Sequence, residues 1–190
     1  MKLLISEAIT SKVIGYHGSP RNFDGFSNES LGKGFDLLGP GFYFFQTPEY
    51  AERYAELGYL YKCELTLSKK LNPTHVTFRV PQVEKLLRVA KSKMGAEIWG
   101  YLLSDWDENP RIAYGDLIES ILDDDNDIGV ALAICYDVFK YDRPKSYQDF
   151  ANAMRHQLGV NGFIDDTKFD MPCVVVYDES DISIIEKIKL

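Results

Sequence analysis

The amino-acid sequence predicts an α+β fold in which β-rich segments at the two ends of the chain enclose an all-helical middle. Two changes of pattern support this: short strand-like segments give way to helical periodicity near Pro81 and return after Leu158. Length supports it too, because 190 residues, of which 45% are hydrophobic, are enough to bury a core. No internal repeat or long linker interrupts the chain. We therefore expect a single domain over residues 1–190 with a helical insertion at about 81–158.

Three β-forming segments and one helix are predicted before the insertion. The segments are bounded by Gly, Pro or Asn and cover Lys12–Tyr16, Gly41–Phe45 and Leu60–Leu67. The helix begins after Thr47, which is a good N-cap, and Pro48 takes its first position. Glutamates in its first turns interact favourably with the positive end of the helix dipole.

Helices fill the middle of the chain, and strands return after it. Apolar residues three or four apart predict helices from Pro81 to Leu158. The last of them has Ser146 as a capping residue and ends at Gly159. The strands that follow cover Gly162–Asp165, Cys173–Tyr177 and Ile182–Ile188. The second of these is continuously apolar, which is typical of a central strand covered on both faces.

Charge and cysteine content limit the partners that we expect. The formal net charge is −8 and the pI about 4.9, which disfavours nucleic acid and anionic lipid surfaces as partners. Cys63, Cys135 and Cys173 lie far apart without the spacing of a zinc or redox site. They predict free thiols in a reducing compartment. Because no apolar run reaches about 18 residues, we expect a cytoplasmic protein that is not bound to a membrane.

The acidic cluster at residues 123–127 allows two interpretations. Its dense carboxylates suit calcium, but an EF-hand loop also needs a central Gly and a bidentate Glu at its end. The sequence offers Gly129 but then continues Val130-Ala131-Leu132 without the required pattern, and the interpretation we favour is a solvated loop between two helices. No metal is therefore expected.

The segment Gly15-Tyr16-His17-Gly18-Ser19-Pro20 is the first candidate functional motif. Its glycine and proline predict a strand end that turns sharply into a loop. A histidine followed by a glycine lets an imidazole and a bare backbone face one small ligand together. A lone histidine at a strand end also serves structural roles, so the motif by itself leaves both interpretations open.

Aromatic residues form the second candidate motif. Tyr43 lies in the segment Gly39-Pro40-Gly41-Phe42-Tyr43-Phe44-Phe45, and the helix after it places Ala51 and Tyr54 one turn apart. Two tyrosine rings that face each other suit a flat aromatic cation, at about 1 kcal/mol per face when desolvated. The alternative is that these aromatics belong to the core.

Taken together, the His-Gly-Ser step, the Gly-x-Gly-hydrophobic-Tyr-Phe segment and the tyrosine in the following helix resemble the diphtheria-toxin-like ADP-ribosyltransferases. Tyr54 lies eleven positions after Tyr43, which is similar to the spacing in the poly(ADP-ribose) polymerase branch. The segments Tyr61–Leu67 and Gly159–Asp178 also resemble strands of bacterial and phage members. The resemblance covers roughly residues 12–70 and 158–190 and implies an ADP-ribosyltransferase-like split β-sheet core with an all-helical insertion.

The resemblance implies a site for NAD as the co-substrate. In it His17 binds the nicotinamide ribose, the Gly18 backbone binds the carboxamide, and Tyr43 and Tyr54 stack on the ring. The remaining expected binding residues are Ser19 on the adenosine side, Gly41 beside the strand, and Ala51 where polymerases carry a serine. That alanine removes one contact to the carboxamide.

The third motif departs from the family. A glutamate usually begins the last core strand, where it polarises the ribose, and Cys173 takes that place here. A thiol cannot accept the ribose hydrogen bond as a carboxylate does. Acids lie just upstream, so we expect Asp170 to act as the catalytic carboxylate, with Asp166 second and Asp165 also near.

These features predict a mono-ADP-ribosyltransferase, an effector of phage or bacterial type that acts in the bacterial host cytoplasm if it is phage-encoded. It would release nicotinamide through an oxocarbenium-like state stabilised by a carboxylate and transfer ADP-ribose to a protein acceptor. The main alternative is a degenerate domain that binds NAD, ADP-ribose or a protein without turnover. An RNA phosphate-removing transferase and an unrelated interaction domain also stay open, although few cations cluster near the motifs.

Overall fold

Seven strands and five α-helices form the part of the protein that a computed structural model describes, namely residues 11–31, 40–67, 70–71, 79–122, 128–141, 146–165 and 172–190. The strands are β1 (Ser11–Ser19), β2 (Phe42–Phe45), β3 (Tyr59–Leu67), β4 (Lys70–Leu71), β5 (Gly162–Asp165), β6 (Cys173–Val176) and β7 (Ile182–Lys189). The helices are α1 (Pro48–Glu52), α2 (Val80–Ser104), α3 (Pro110–Leu122), α4 (Ile128–Lys140) and α5 (Tyr147–Ala153). The predicted α+β class is confirmed.

The strands form one sheet in the order β4-β5-β6-β2-β1-β3-β7, in which every neighbouring pair is antiparallel except β4 and β5. The strand pairing is weakest in the middle of the sheet, between β1 and β2. Among the described residues β1 and β2 pair at one position, Tyr16 opposite Phe45, whereas β1 pairs with β3 along its whole length. The sheet therefore divides into two halves, and we call the gap between the ends of β1 and β2 the fork.

The helical insertion covers one face of the sheet and forms the larger core, which we call the helix-side core. Phe45, Phe163, Cys173 and Val175 of the strands pack there against the helices and Ala51 of α1. The helices contribute fully buried side chains that include Leu86, Leu117, Leu132, Phe139 and Phe150. Each such side chain contributes about 1.5–3 kcal/mol through burial. This layer holds α2 to α5 against the sheet.

A loop instead of helices covers the other face. Phe44, Tyr61 and Val174 point to this side and form what we call the loop-side core. Phe23 and Phe26 of the segment between β1 and β2 pack against it. The alternation of buried residues along β2 and β3 explains how one sheet serves two cores, because successive side chains of a strand face opposite sides.

Most predicted elements agree with the structure. The strands lie at the predicted positions, and all of β6 is buried between β2 and β5, as its apolar run predicts. Gly159 ends the last helical segment in the left-handed conformation, with a φ of 67°. Ser146 lies at the predicted N-cap position, where its carbonyl accepts from the Phe150 amide at 3.1 Å, but its side chain does not make the predicted capping bond.

Two features of the helices were not predicted. The last one changes at Met154 to a π-helical segment that continues to Leu158. Gly95 has a φ of 83° and a ψ of 168°, which kinks α2 between its two halves. No helix in the described ranges is long and apolar enough to cross a bilayer.

Candidate functional site

The fork brings the His17 and Tyr43 segments together through the backbone. Nδ1 of His17 lies 2.9 Å from the carbonyl oxygen of Tyr43. Because a carbonyl only accepts, Nδ1 carries the proton, and Nε2 is the acceptor in the neutral ring. Burial lowers the pKa of His17, and the bond to Tyr43 offsets part of this effect. The imidazole is therefore neutral near pH 7.

Aromatic rings surround His17 on the loop-side face of the sheet. The ring centroids of Phe23, Phe26, Phe44 and Tyr61 lie 6.2, 5.1, 5.7 and 6.4 Å from that of the imidazole. The Tyr61 hydroxyl holds the loop in place: it donates to the Arg21 carbonyl at 3.0 Å and accepts from the Phe23 amide at 2.9 Å. The loop after β1 therefore folds back over the imidazole.

The two tyrosines expected to stack on nicotinamide lie on the opposite, helix-side face. Tyr43 is half-buried against the helix-side core. Tyr54 is 54% exposed and stacks on Phe45, with a centroid distance of 5.3 Å and an interplanar angle of 15°. The expected pair of opposed tyrosine rings is not formed. The reason is that α1 ends at Glu52, so Tyr54 lies in the turn that follows.

Gly18 and Ala51 are in direct contact at the fork. A Cβ atom on Gly18 would lie 1.8 Å from the Ala51 carbonyl oxygen and 2.9 Å from the Ala55 amide nitrogen. Only a glycine therefore lets α1 pack this closely on the end of β1. Ala51 is fully buried and Tyr54 is exposed, so the two residues do not share a face as their spacing of one turn predicted.

Gly41 and Ser19 border the same region. A Cβ atom on Gly41 would lie 2.3 Å from Cγ1 of Val175, so this glycine permits the close approach of β2 and β6. The Ser19 hydroxyl accepts a hydrogen bond from the Arg21 amide at 3.1 Å. It stabilises the turn after β1.

A buried carboxylate lies next to Cys173. Asp165 is 1% exposed and pairs with Cys173, which pairs in turn with Phe45. Directly paired residues share a face of a sheet, so Asp165 lies on the helix-side face with Phe45. Asp166 and Asp170, the acids preferred from the sequence, lie outside the described residues, and so does the acidic cluster at 123–127.

The position of Cys173 does not suit nucleophilic chemistry. Burial raises the pKa of its thiol to about 12, and the charge of Asp165 acts in the same direction. The thiol therefore stays protonated at neutral pH. Cys63 and Cys135 are also buried free thiols with raised pKa values. In the described ranges, no three His, Cys, Asp or Glu side chains are arranged to hold a metal ion.

Sequence reasoning missed the aromatic cover of His17 and gave Asp165 only a minor place. Phe23 and Phe26 stand three apart in the loop that follows the His-Gly step, and that spacing was the available signal. Asp165 ends a strand whose other residues are apolar, and strand alternation places it on the same face as Phe163, which was the available signal.

Comparison with known proteins adds little to this geometry. No protein-family model matches the sequence, and no curated protein matches it. The solved structure of an anti-CRISPR protein overlaps this chain with a TM-score of 0.45 at 15% sequence identity, over 93% of this chain and 96% of that one. An overlap with this TM-score is too loose to support an argument about function.

Proposed function

We propose that this chain binds NAD at the fork and transfers ADP-ribose from it to a side chain of a protein. The observation that carries the proposal is the junction of the two motif segments, where Nδ1–H of His17 donates to the Tyr43 carbonyl beside Gly18 and Ala51. The division of the sheet at this point supports the split β-sheet of the ADP-ribosyltransferases that the sequence resembles.

In the proposed reaction the bond between the nicotinamide nitrogen and C1′ of its ribose breaks, and its electron pair leaves with nicotinamide. A carboxylate stabilises the positive charge that develops on the ribose. A nucleophile of the acceptor then forms a bond to C1′ and loses one proton to water. No electrons are exchanged, and the products are nicotinamide, the modified acceptor and the proton.

The chain's own residues have separate roles in this proposal. The neutral His17 offers Nε2 as an acceptor for a ribose hydroxyl, while Nδ1–H holds the ring in place. Tyr54 is exposed, so it can leave Phe45 and turn toward the nicotinamide ring. Asp170, then Asp166, supplies the carboxylate, because Asp165 is buried under the helices and faces Cys173.

A second candidate function is binding of NAD or ADP-ribose without turnover. Three observations favour it: Cys173 replaces the family's glutamate and stays a protonated thiol, Ala51 lacks the serine hydroxyl, and the His17 ring is covered by Phe23 and Phe26. These differences would leave a site that holds a ligand but does not polarise its ribose.

One experiment separates the two candidates. The purified chain is incubated with radiolabelled NAD and a bacterial lysate; nicotinamide release and protein labelling are measured, and NAD binding is followed by calorimetry. Labelling of a protein supports the transferase, and binding without release supports the second candidate. If NAD neither binds nor reacts, both are wrong.

Single-residue variants test the roles that the proposal gives to His17 and to the catalytic carboxylate. His17→Ala is expected to abolish labelling in a folded protein, because it removes the Nε2 acceptor. Asp170→Asn should reduce turnover by about 100-fold or more while NAD still binds, since a carboxylate that acts mainly in the transition state affects catalysis more than binding. Asp165→Asn is the matched control and should retain turnover. If the two variants behave in the opposite way, the carboxylate is Asp165.

A further inference from the structure

A groove with a volume of about 440 Å³ lies on the helical insertion, and none of its lining residues belongs to the fork. The kink of α2 creates it. Leu87 and Leu103, from the two halves of this helix, both line the groove, although in an unbroken helix they would lie roughly 24 Å apart along the axis. The conformation of Gly95 turns the two halves toward each other, and the start of α3 closes the third side.

The floor of the groove is apolar and aromatic. Leu87, Leu103 and Trp99 are buried, and Tyr114 is half-buried with its ring centroid 6.2 Å from that of Trp99. Burial raises the pKa of Tyr114, and the charge of Glu84 adds to this effect while that of Arg88 opposes it. The floor therefore offers contacts to an aliphatic or aromatic group but few hydrogen-bonding groups.

The rim of the groove is basic. Arg88, Lys91 and Arg111 are exposed and line it, and no acid does. Within the described part of the chain, none of the three has a carboxylate oxygen within 4.0 Å. Lys91 places Nζ 5.8 Å from the centroid of the Trp99 ring. In a chain with a net charge of −8, these three cations form a patch of positive charge around the apolar floor, which the charge of Glu84 partly offsets at Tyr114.

We propose that this groove binds an acidic peptide segment of a partner protein. An aliphatic or aromatic side chain of the segment occupies the floor, and neighbouring Asp or Glu side chains pair with Arg88, Lys91 and Arg111. We choose an acidic peptide as the occupant because its negative charges complement the positive charges of the rim. The proposal holds whether or not the chain turns over NAD.

The lining favours a peptide over a nucleotide or a nucleic acid. A base needs donors and acceptors along its edge, and the uncharged polar groups on the lining side chains are the phenol of Tyr114 and the indole N–H of Trp99, of which only the phenol can accept. The groove is also open, with its cations in solvent, whereas small-molecule sites bury most of their ligand. The acidic surface of the whole chain opposes binding of a polyanionic strand.

The test uses the full chain and a fluorescein-labelled peptide in which a Phe-Leu pair is flanked by Asp and Glu, with binding followed by fluorescence anisotropy. We expect binding that weakens as NaCl rises from about 0.05 to 0.3 M. The same peptide with Asn and Gln in place of its acids, and one with Ser in place of Phe-Leu, should bind at least about tenfold more weakly.

Two kinds of variant locate the binding site. Exchange of Arg88, Lys91 and Arg111 for Glu should weaken binding by about tenfold or more, whereas exchange of Lys12, Lys140 and Lys189, which are exposed elsewhere, should have less than about a twofold effect. Gly100→Phe adds a ring at a residue that lines the groove and whose Cβ position has no atom within 4 Å. It should abolish binding, whereas Gly100→Ala should retain it.

Several outcomes would overturn the proposal. These are no peptide binding up to about 1 mM, binding that the Gly100→Phe variant leaves intact, and tighter binding of a labelled oligonucleotide or of ATP than of the peptide. Thermal unfolding of each variant checks that the fold survives, so that a loss of binding reports on the groove.

Discussion

His17 is held in one tautomer by a backbone carbonyl and is covered by four aromatic rings. Such an environment opposes protonation at either nitrogen: Nδ1 already carries a proton, and a charge on the ring would lose its hydration. Protonation of His17 should therefore destabilise the folded loop that covers its ring.

The pH dependence of stability should follow from this residue. Its folded pKa lies below the ordinary value of 6.5, so between the two pKa values the unfolded chain binds the extra proton. The free energy of unfolding should thus fall as the pH drops below about 6.5, by at most about 1.4 kcal/mol per pH unit, and the contribution is constant above that value. Urea unfolding from pH 7.5 to 5 measures it.

The control variants separate His17 from other titrating groups. His17→Asn keeps a donor for the Tyr43 carbonyl and has no titrating ring, so its unfolding free energy should depend less on pH. His156→Asn, which removes an exposed imidazole instead, is the matched control. Identical pH profiles for the original chain and His17→Asn would contradict the interpretation.

Helix α1 is the element whose packing depends most directly on one residue. It has five residues, which is too short to be stable alone, and it contacts the end of β1 where Gly18 leaves no space for a side chain. Its position on the fork is therefore set by that glycine more than by helix propensity.

Gly18→Ala should displace α1 from the sheet. The added methyl group would overlap the Ala51 carbonyl oxygen, so we expect a loss of about 1–3 kcal/mol in the free energy of unfolding. Gly25→Ala is the matched control, since its Cβ position has no atom within 4 Å; its effect should stay within about 0.5 kcal/mol. Denaturant unfolding compares the two variants. Equal free energies of unfolding would show that the close contact of Gly18 with Ala51 does not determine how α1 packs.

At the scale of the whole molecule, the weak join between the halves of the sheet should be visible as local opening. Backbone amides of β1 and β2 that point into the fork should exchange with solvent faster than the amides that β1 shares with β3, because β1 and β3 are paired throughout. Hydrogen exchange followed by NMR measures this difference. Equal protection on both sides of β1 would mean that the fork is closed in solution.

Local pattern was enough to predict the elements but not their arrangement. Short segments carry the signals that worked: glycines that bound the strands, the apolar run of β6, and Gly159 at the end of a helix. The predictions made from them were correct. The face on which a strand residue lies depends on register with a distant strand, and a shift of one residue reverses every face. This is why the rings of Tyr43, in a predicted strand, and His17, just past the predicted end of another, were not predicted to lie on opposite sides. The position of α1 on the sheet is likewise a tertiary effect, since Ala51 packs on Gly18.

Strand β7 forms an outer edge of the sheet, and its sequence bears on self-association. Its exposed residues include Glu186, Lys187 and Lys189, and Lys187 donates to the carboxylate of Asp24 at 2.7 Å and to the Phe23 carbonyl at 3.2 Å. A strand from another molecule that added here would have to desolvate these charges. The hydrophobic Ile185 on the same strand is therefore flanked by groups that oppose intermolecular β-pairing and aggregation along this border.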